Sequence, residues 1–135
     1  MKFLQRILSK ETLGADILRL AVCAILFAHG FYRLWDGKAA ALGDILKEEG
    51  LPAGVALACL VCLVETAGTL LLAMRMFVLP ITVILATIYS TGILLFHRHN
   101  GFFVVGAGEG GWEFSALLII CLLVTAWENR KNKPF

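Results

Sequence analysis

Ionisable side chains lie within or beside long apolar stretches of this sequence, and their types suit hydrogen bonding and proton exchange. They are Arg19, His29, Arg33, Glu65, His97 and Glu113. A charge at the centre of a bilayer costs about 2.5–3.5 kcal/mol, whereas each Leu, Ile, Phe or Val there returns only about 0.3–0.6 kcal/mol. If these stretches lie in a membrane, the six side chains need partners inside the protein and mark a candidate site.

Helical geometry predicts which of these side chains meet. Arg19, His29 and Arg33 fall within about an 80° arc of the first apolar stretch at ~100° per residue, so they share one face. Glu65 is too short to reach either surface from the second stretch, so it must face the interior and find a partner or be protonated. If the first and second stretches form an antiparallel pair of helices, Glu65 lies near the level of Leu26. His29 is then the easier partner, and Arg19 needs a fully extended side chain.

A second polar cluster is expected near the outer surface, because His97 and Glu113 come near the depth of Arg33. The formal charges of Arg19 and Arg33 balance those of Glu65 and Glu113. This balance also fits a purely structural role, in which buried ion pairs select one packing of the helices.

The spacing of Cys59 and Cys62 is that of redox dithiols. Catalytic dithiols usually lie at a helix N-terminus with access to thiolate chemistry. These two thiols are expected inside a helix and in hydrocarbon, so small core residues are the favoured interpretation and a membrane thiol oxidoreductase is an alternative.

Histidine and carboxylate residues near the outer surface could in principle gather around a metal ion. They are His29, His97, His99, Glu109 and Glu113. No HExxH or EExxH pattern fixes two ligands on one helical face, and His97 and His99 would point to different faces of a continuous helix. The sequence therefore predicts no metal site.

The composition indicates where such a chain folds. Of its 135 residues, 59% are hydrophobic and 16% are charged. A soluble domain of this size buries only about two-thirds of its surface and is usually about 45–50% apolar, so this chain needs another apolar phase. The net charge of +2 arises mostly from residues near the ends, which argues against a nucleic-acid groove.

Four apolar stretches predict an all-α, integral membrane four-helix bundle. They cover residues 17–34, 52–74, 76–96 and 112–127. The predicted helices are 15–35, 52–75, 76–97 and 112–128, within one transmembrane domain of residues 1–135. No stretch alternates with the period of a strand, so a β-barrel is disfavoured.

The flanking basic residues predict the orientation. Seven lie on one side: Lys2, Arg6, Lys10, Arg75, Arg130, Lys131 and Lys133. Three lie on the other: Lys38, Lys47 and Arg98. The positive-inside rule then places both termini in the cytoplasm and the loops 36–50 and 97–111 outside.

Several short motifs, taken in their order along the chain, resemble the DoxX family of small four-helix membrane proteins over about residues 16–127. They are Leu18-Arg19-Leu20, His29-Gly30, Arg33-Leu34, Glu65 with Gly68, Asn100-Gly101-Phe102-Phe103 and Trp112-Glu113-Phe114. The family often has Lys-Leu where Arg33-Leu34 stands here, a difference that keeps the charge. The family takes its name from subunits associated with a quinone-reducing thiosulfate oxidoreductase, so the resemblance implies a redox-linked or quinone-linked membrane subunit.

The leading hypothesis is an accessory subunit whose six ionisable residues bind a small, partly apolar ligand such as a quinone, with no catalytic residue assigned and no catalysis by the chain alone. Arginine and histidine would hydrogen-bond the ligand's oxygens, and Glu65 would orient His29 or Arg19 or exchange a proton with the ligand. A structural scaffold and a proton or ion pathway are the alternatives. The expected partners are the bilayer of a bacterial inner membrane, a membrane or peripheral redox protein, and a second copy of the chain.

Overall fold

Helices make up all the regular secondary structure in the part of the chain that the computed structural model describes, which is residues 7–8, 12–106 and 109–131. The helices are α1 (Leu13–Trp35), α2 (Lys38–Glu48), α3 (Gly54–Ala73), α4 (Val78–Asn100) and α5 (Glu113–Lys131). The prediction of helices rather than strands is confirmed for these residues. The flanking Lys2, Arg6, Lys10 and Lys133 lie outside the described residues.

Three of the helices, α1, α3 and α4, are long and apolar enough to cross a membrane. The fourth predicted span lies in α5, which is not among them. Charged residues bound its apolar stretch at Glu113 and Glu128, and Arg130 follows within the helix, so the uncharged part is short for a crossing.

The helices α1, α3, α4 and α5 pack around a common apolar core. Helix α1 packs against α3 and α5, and α4 packs against the same two helices. The buried core residues are Val22, Cys23, Leu26, Leu72, Val78, Ile81, Leu85, Leu118 and Leu122. This ring of contacts brings polar residues from different helices to the same depth.

The outward faces of these helices are also apolar. About half or more of the side chain is accessible at Leu60, Leu63, Val83, Leu94, Leu117, Ile120 and Leu123. Exposed apolar surface that follows every long helix is the arrangement expected where lipid, and not water, is the surrounding phase.

Helix α2 occupies most of the segment 36–50 that the sequence predicts as a loop, so that prediction is wrong. The segment contains three consecutive alanines from Ala39, which favour a helix. The helix packs on α3 through two glycines: a β-carbon on Gly54 would lie 2.1 Å from the carbonyl oxygen of Gly43. The two backbones are therefore in direct contact.

The connection from α1 to α2 is held by Lys38. Its ammonium group donates to the hydroxyl of Tyr32 at 2.7 Å and pairs with the carboxylate of Asp36 at 2.8 Å. The hydrogen bond from Lys38 holds the pKa of the exposed Asp36 carboxyl below its ordinary value. These contacts fix the turn by which α2 folds back over the end of the bundle.

Candidate functional site

Glu65 lies inside the helix packing and is only 1% exposed. One carboxylate oxygen pairs with the guanidinium group of Arg33, and the other accepts a hydrogen bond of 2.7 Å from the hydroxyl of Tyr89. We call these three residues the Glu65 cluster. It joins α1, α3 and α4, and both oxygens of the buried carboxylate have a partner, which a carboxylate in an apolar interior requires.

The expected pairing of Glu65 with His29 or Arg19 is wrong. A β-carbon on Gly30 would lie 2.6 Å from Cβ of Glu65, so Glu65 lies beside Gly30, one helical turn beyond the expected level at Leu26. Glycine permits this close approach of α1 to α3, and the shift brings Arg33 within reach of the carboxylate. His29 is exposed instead, and its ring lies 6.2 Å from that of Phe114 between centroids.

Substitution of Gly30 by Ala should therefore destabilise the protein. The added methyl group would collide with α3 at Glu65, and overpacking of this kind costs about 1–3 kcal/mol. Gly14→Ala is the matched control in the same helix, because a β-carbon there has no neighbour within 4 Å. It should be neutral or stabilising by up to about 1 kcal/mol. Equal thermal midpoints of the two variants in detergent would contradict the close contact.

Glu65 belongs to a π-helical segment, Val64–Gly68, within α3. Such segments loosen the regular backbone ladder and are frequent at functional sites. The hydroxyl of Thr69 donates to the carbonyl of Glu65 at 2.6 Å, and that of Thr66 donates to the carbonyl of Cys62 at 2.7 Å. These local bonds help satisfy carbonyl groups in and beside the π segment and fix the backbone that carries the buried carboxylate.

A cavity of about 340 Å³ lies beside the Glu65 cluster. Its polar wall includes Arg33, Glu65, Tyr89 and His97. The remaining wall is mainly apolar and comes from α2 to α5: Leu42, Leu46, Leu51, Leu57, Val61, Thr87, Ile88, Thr91, Gly92, Leu95, Phe96 and Ser115. An apolar cavity of this size with a few converging polar groups is the usual form of a small-molecule site.

His97 ends a second π-helical segment, Ile93–His97, and lines the cavity. Its Nδ1 lies 2.8 Å from the carbonyl oxygen of Gly110, which fastens the last turns of α4 to the chain before α5. Glu113 has a different role from the expected one: its carboxylate accepts a hydrogen bond of 2.9 Å from the backbone N–H of Val104. Glu113 thus holds the connecting loop and does not line the cavity.

Arg19 belongs to a separate cluster at the opposite end of α1, which we call the Asp16 cluster (Asp16, Arg19 and Arg75). The carboxylate of Asp16, 2% exposed, pairs with both guanidinium groups. Arg19 also donates to the carbonyl of Leu72 at 3.2 Å and to that of Ala73. This cluster ties the start of α1 to the end of α3, and the cavity beside it, about 20 Å³, has room for about one water molecule.

Three residues of these clusters, Asp16, Tyr89 and Arg75, were not among the candidate site residues from the sequence. Asp16 precedes Arg19 by three residues, a spacing that places the two side chains on one helix face and could have been read as a pair. Tyr89 carries a polar tip in a span without charged residues, and a buried tyrosine hydroxyl usually finds a partner. Arg75, counted as a flanking residue, is held by the carboxylate of Asp16.

All four cysteines are free, and their positions differ. Cys62 is fully buried beside the Glu65 cluster, and Cys59, one turn earlier, is exposed on the outer face of α3. Within the described chain, no three His, Cys, Asp or Glu side chains come close enough together to hold a metal ion.

The helical fold, the three spans and the apolar exterior together define a multi-pass membrane protein. Its polar groups are concentrated in two interior clusters, one of which borders a ligand-sized cavity. Comparison of the chain with protein-family models, with curated proteins and with solved structures finds no match.

Proposed function

We propose that this protein is a DoxX-like accessory or ligand-binding subunit of a membrane redox system, with a small, partly apolar ligand such as a quinone in the cavity beside Glu65. The observation that carries the proposal is the cavity itself, about 340 Å³, which is mainly apolar and has Arg33 and His97 in its wall. The resemblance of the sequence to DoxX proteins stays a prediction and supports the same choice.

The charges in the cavity wall favour a neutral ligand. Glu65 neutralises Arg33, so the pair presents no net charge to an occupant. A free carboxylic or phosphoric acid would lose its hydration and meet a guanidinium group whose charge is already balanced. A quinone ring needs hydrogen-bond donors for its oxygens and an apolar wall for its ring and chain, and both are present here.

Bound ligand can be tested by mass spectrometry of the protein purified in mild detergent. We expect a stoichiometric small molecule with an isoprenoid or similar apolar chain. Gly92→Leu is the decisive variant: Gly92 lines the cavity, and a β-carbon there has no neighbour within 4 Å, so the new side chain fills open space without changing a charge. Gly14→Leu is the control, because Gly14 has similar space and lies outside the cavity wall.

Loss of the ligand in Gly92→Leu and its retention in Gly14→Leu is the expected result. Wild-type protein without a stoichiometric ligand, or with the same amount in both variants, would contradict the proposal.

A structural scaffold is the second candidate, and the Asp16 cluster favours it. Its carboxylate and its two arginines are paired with one another, and Arg19 further bonds the backbone at the end of α3. Buried pairs of this kind can select one helix packing without binding anything. Under this interpretation both clusters would serve the fold alone.

We also propose four crossings of a cell membrane, of the bacterial inner-membrane type, with α5 as the fourth and both termini in the cytoplasm. The distribution of basic residues supports this orientation. Arg75 counts for less than the other flanking residues because Asp16 neutralises it inside the bundle. The remaining basic flanks still favour the same side by six to three.

Cysteine labelling in intact cells checks the orientation. In a variant without the four natural cysteines, new cysteines at Lys38 and Glu109, both exposed, should react with an impermeant maleimide from outside. A cysteine at Arg130, also exposed, is the opposite-side control and should react only after permeabilisation. The reverse pattern would show that the termini lie outside.

A further inference from the structure

The unused hydrogen-bonding capacity of the cavity wall distinguishes between the two redox forms of a quinone-type ligand. This capacity can be counted from the bonds that the wall residues already make. What is left over determines which ligand atoms can be satisfied, because a buried polar group without a partner costs binding energy.

In the Glu65 cluster, the groups still open to a ligand are hydrogen-bond donors on α1 and an acceptor on α4. Both oxygens of Glu65 are engaged, by Arg33 and by Tyr89. The hydroxyl proton of Tyr89 is directed to Glu65, so only its oxygen lone pairs remain for a ligand. Arg33 bonds Glu65 through one terminal nitrogen, and its other N–H groups have no partner among the described residues.

Two further lining residues on α4, His97 and Thr87, present acceptors. The carbonyl oxygen of Gly110 can only accept, so Nδ1 of His97 must carry the proton of the bond between them. In the neutral ring Nε2 is then an acceptor, and it has no partner within the described chain. The hydroxyl of Thr87 donates to the carbonyl of Val83 at 2.9 Å, which likewise leaves only its lone pairs.

We infer that the cavity binds the hydroquinone form in preference to the quinone, with one ligand hydroxyl donating to Nε2 of His97 and an oxygen of the ligand accepting from Arg33. This inference rests on the proposed function and specifies its ligand. A quinone has two acceptor oxygens and no donor, so it would leave Nε2 of His97 unpaired and place a carbonyl oxygen against it. A hydroquinone can satisfy both the donors of Arg33 and the acceptor of His97, whereas the hydroxyls of Thr91 and Ser115, which also line the cavity, can donate or accept and favour neither form.

The test is isothermal titration of the full chain in detergent with decylubiquinol and with decylubiquinone under anaerobic conditions. The cavity-filled variant Gly92→Leu serves as the blank for partition into the micelle. One additional matched hydrogen bond corresponds to about tenfold in affinity, so we expect decylubiquinol to bind about ten times more tightly than decylubiquinone.

Three variants distinguish the effect of losing the acceptor on His97 from the effect of loosening the neighbouring loop. His97→Phe keeps a ring and removes the acceptor, and it should reduce the ratio of the two affinities to about one. His99→Phe makes the same change at an exposed histidine outside the cavity wall and should keep the preference. Asn100→Ala removes the second side-chain bond to Gly110, at 3.4 Å, and should also keep it, although the loop is loosened.

The outcomes distinguish the inference from the function on which it rests. If decylubiquinone binds as tightly as decylubiquinol, or if His97→Phe retains the preference, the inference is overturned and the ligand-binding function stands. If wild-type protein gives the same trace as Gly92→Leu with both compounds, neither form occupies the cavity, and both proposals fail.

Discussion

Asp16→Asn should lower the free energy of unfolding in detergent by about 3–5 kcal/mol, near the upper end of that range. The substitution keeps the shape of the side chain and removes the charge that two guanidinium groups share. Arg19 is 4% exposed and Arg75 is 19% exposed, so neither can reach bulk water easily. The two cations would then repel each other in an environment that screens them poorly.

Thermal unfolding of the purified protein followed by circular dichroism measures this effect. Asp44→Asn is the matched control, since Asp44 pairs with Lys47 at 3.5 Å on the exposed face of α2. Exposed pairs contribute little, and the control should change stability by no more than about 1 kcal/mol. A loss in Asp16→Asn as small as in the control would mean that the carboxylate of Asp16 carries no charge in the folded protein.

Glu65→Gln should cost about 3 kcal/mol of stability, less than Asp16→Asn. The carboxylate is buried, but its partner Arg33 is 28% exposed, so part of the uncompensated charge can be hydrated. Tyr89 keeps an acceptor in the amide oxygen of the new side chain, so its bond should survive. The loss of stability in this variant therefore measures the pair of Glu65 and Arg33 more than the hydrogen bond from Tyr89.

A double-mutant cycle assigns the partner of Glu65. Glu65→Gln combined with Arg33→Gln should show a coupling energy of about 1–3 kcal/mol, whereas combination with Arg19→Gln, a residue of the separate Asp16 cluster, should be additive. Glu48→Gln on the exposed face of α2 is the control for loss of a glutamate charge. Coupling to Arg19 that exceeds coupling to Arg33 would refute the Glu65 cluster.

The helices and one polar face were predictable from the sequence. The apolar stretches predict helices with bounds close to those observed. At about 100° per residue, Cys62, Glu65 and Thr69 share one face of the second stretch, and all three are buried in α3. These predictions depend only on periodicity within one helix, which a single sequence contains.

The partners across helices were not predictable in the same way. The expected level of Glu65 came from aligning assumed helix ends, and an error of one turn exchanges Arg33 for His29 or Arg19. The actual register is set by the contact of Gly30 with α3, a steric fact that appears only when two helices are packed. The π segment adds to the error because its wider turn departs from 100° per residue.

The backbone contact between α2 and α3 determines how wide the cavity is on that side. Leu42 and Leu46 of α2 line the cavity, and Gly43 between them rests on Gly54 with no side chain interposed. No rotamer change can adjust this spacing, since only movement of the whole helix would do so. The width of the cavity at this wall is thus set by main-chain atoms, and a single methyl group at either glycine would collide with the facing backbone and push α2 away from α3.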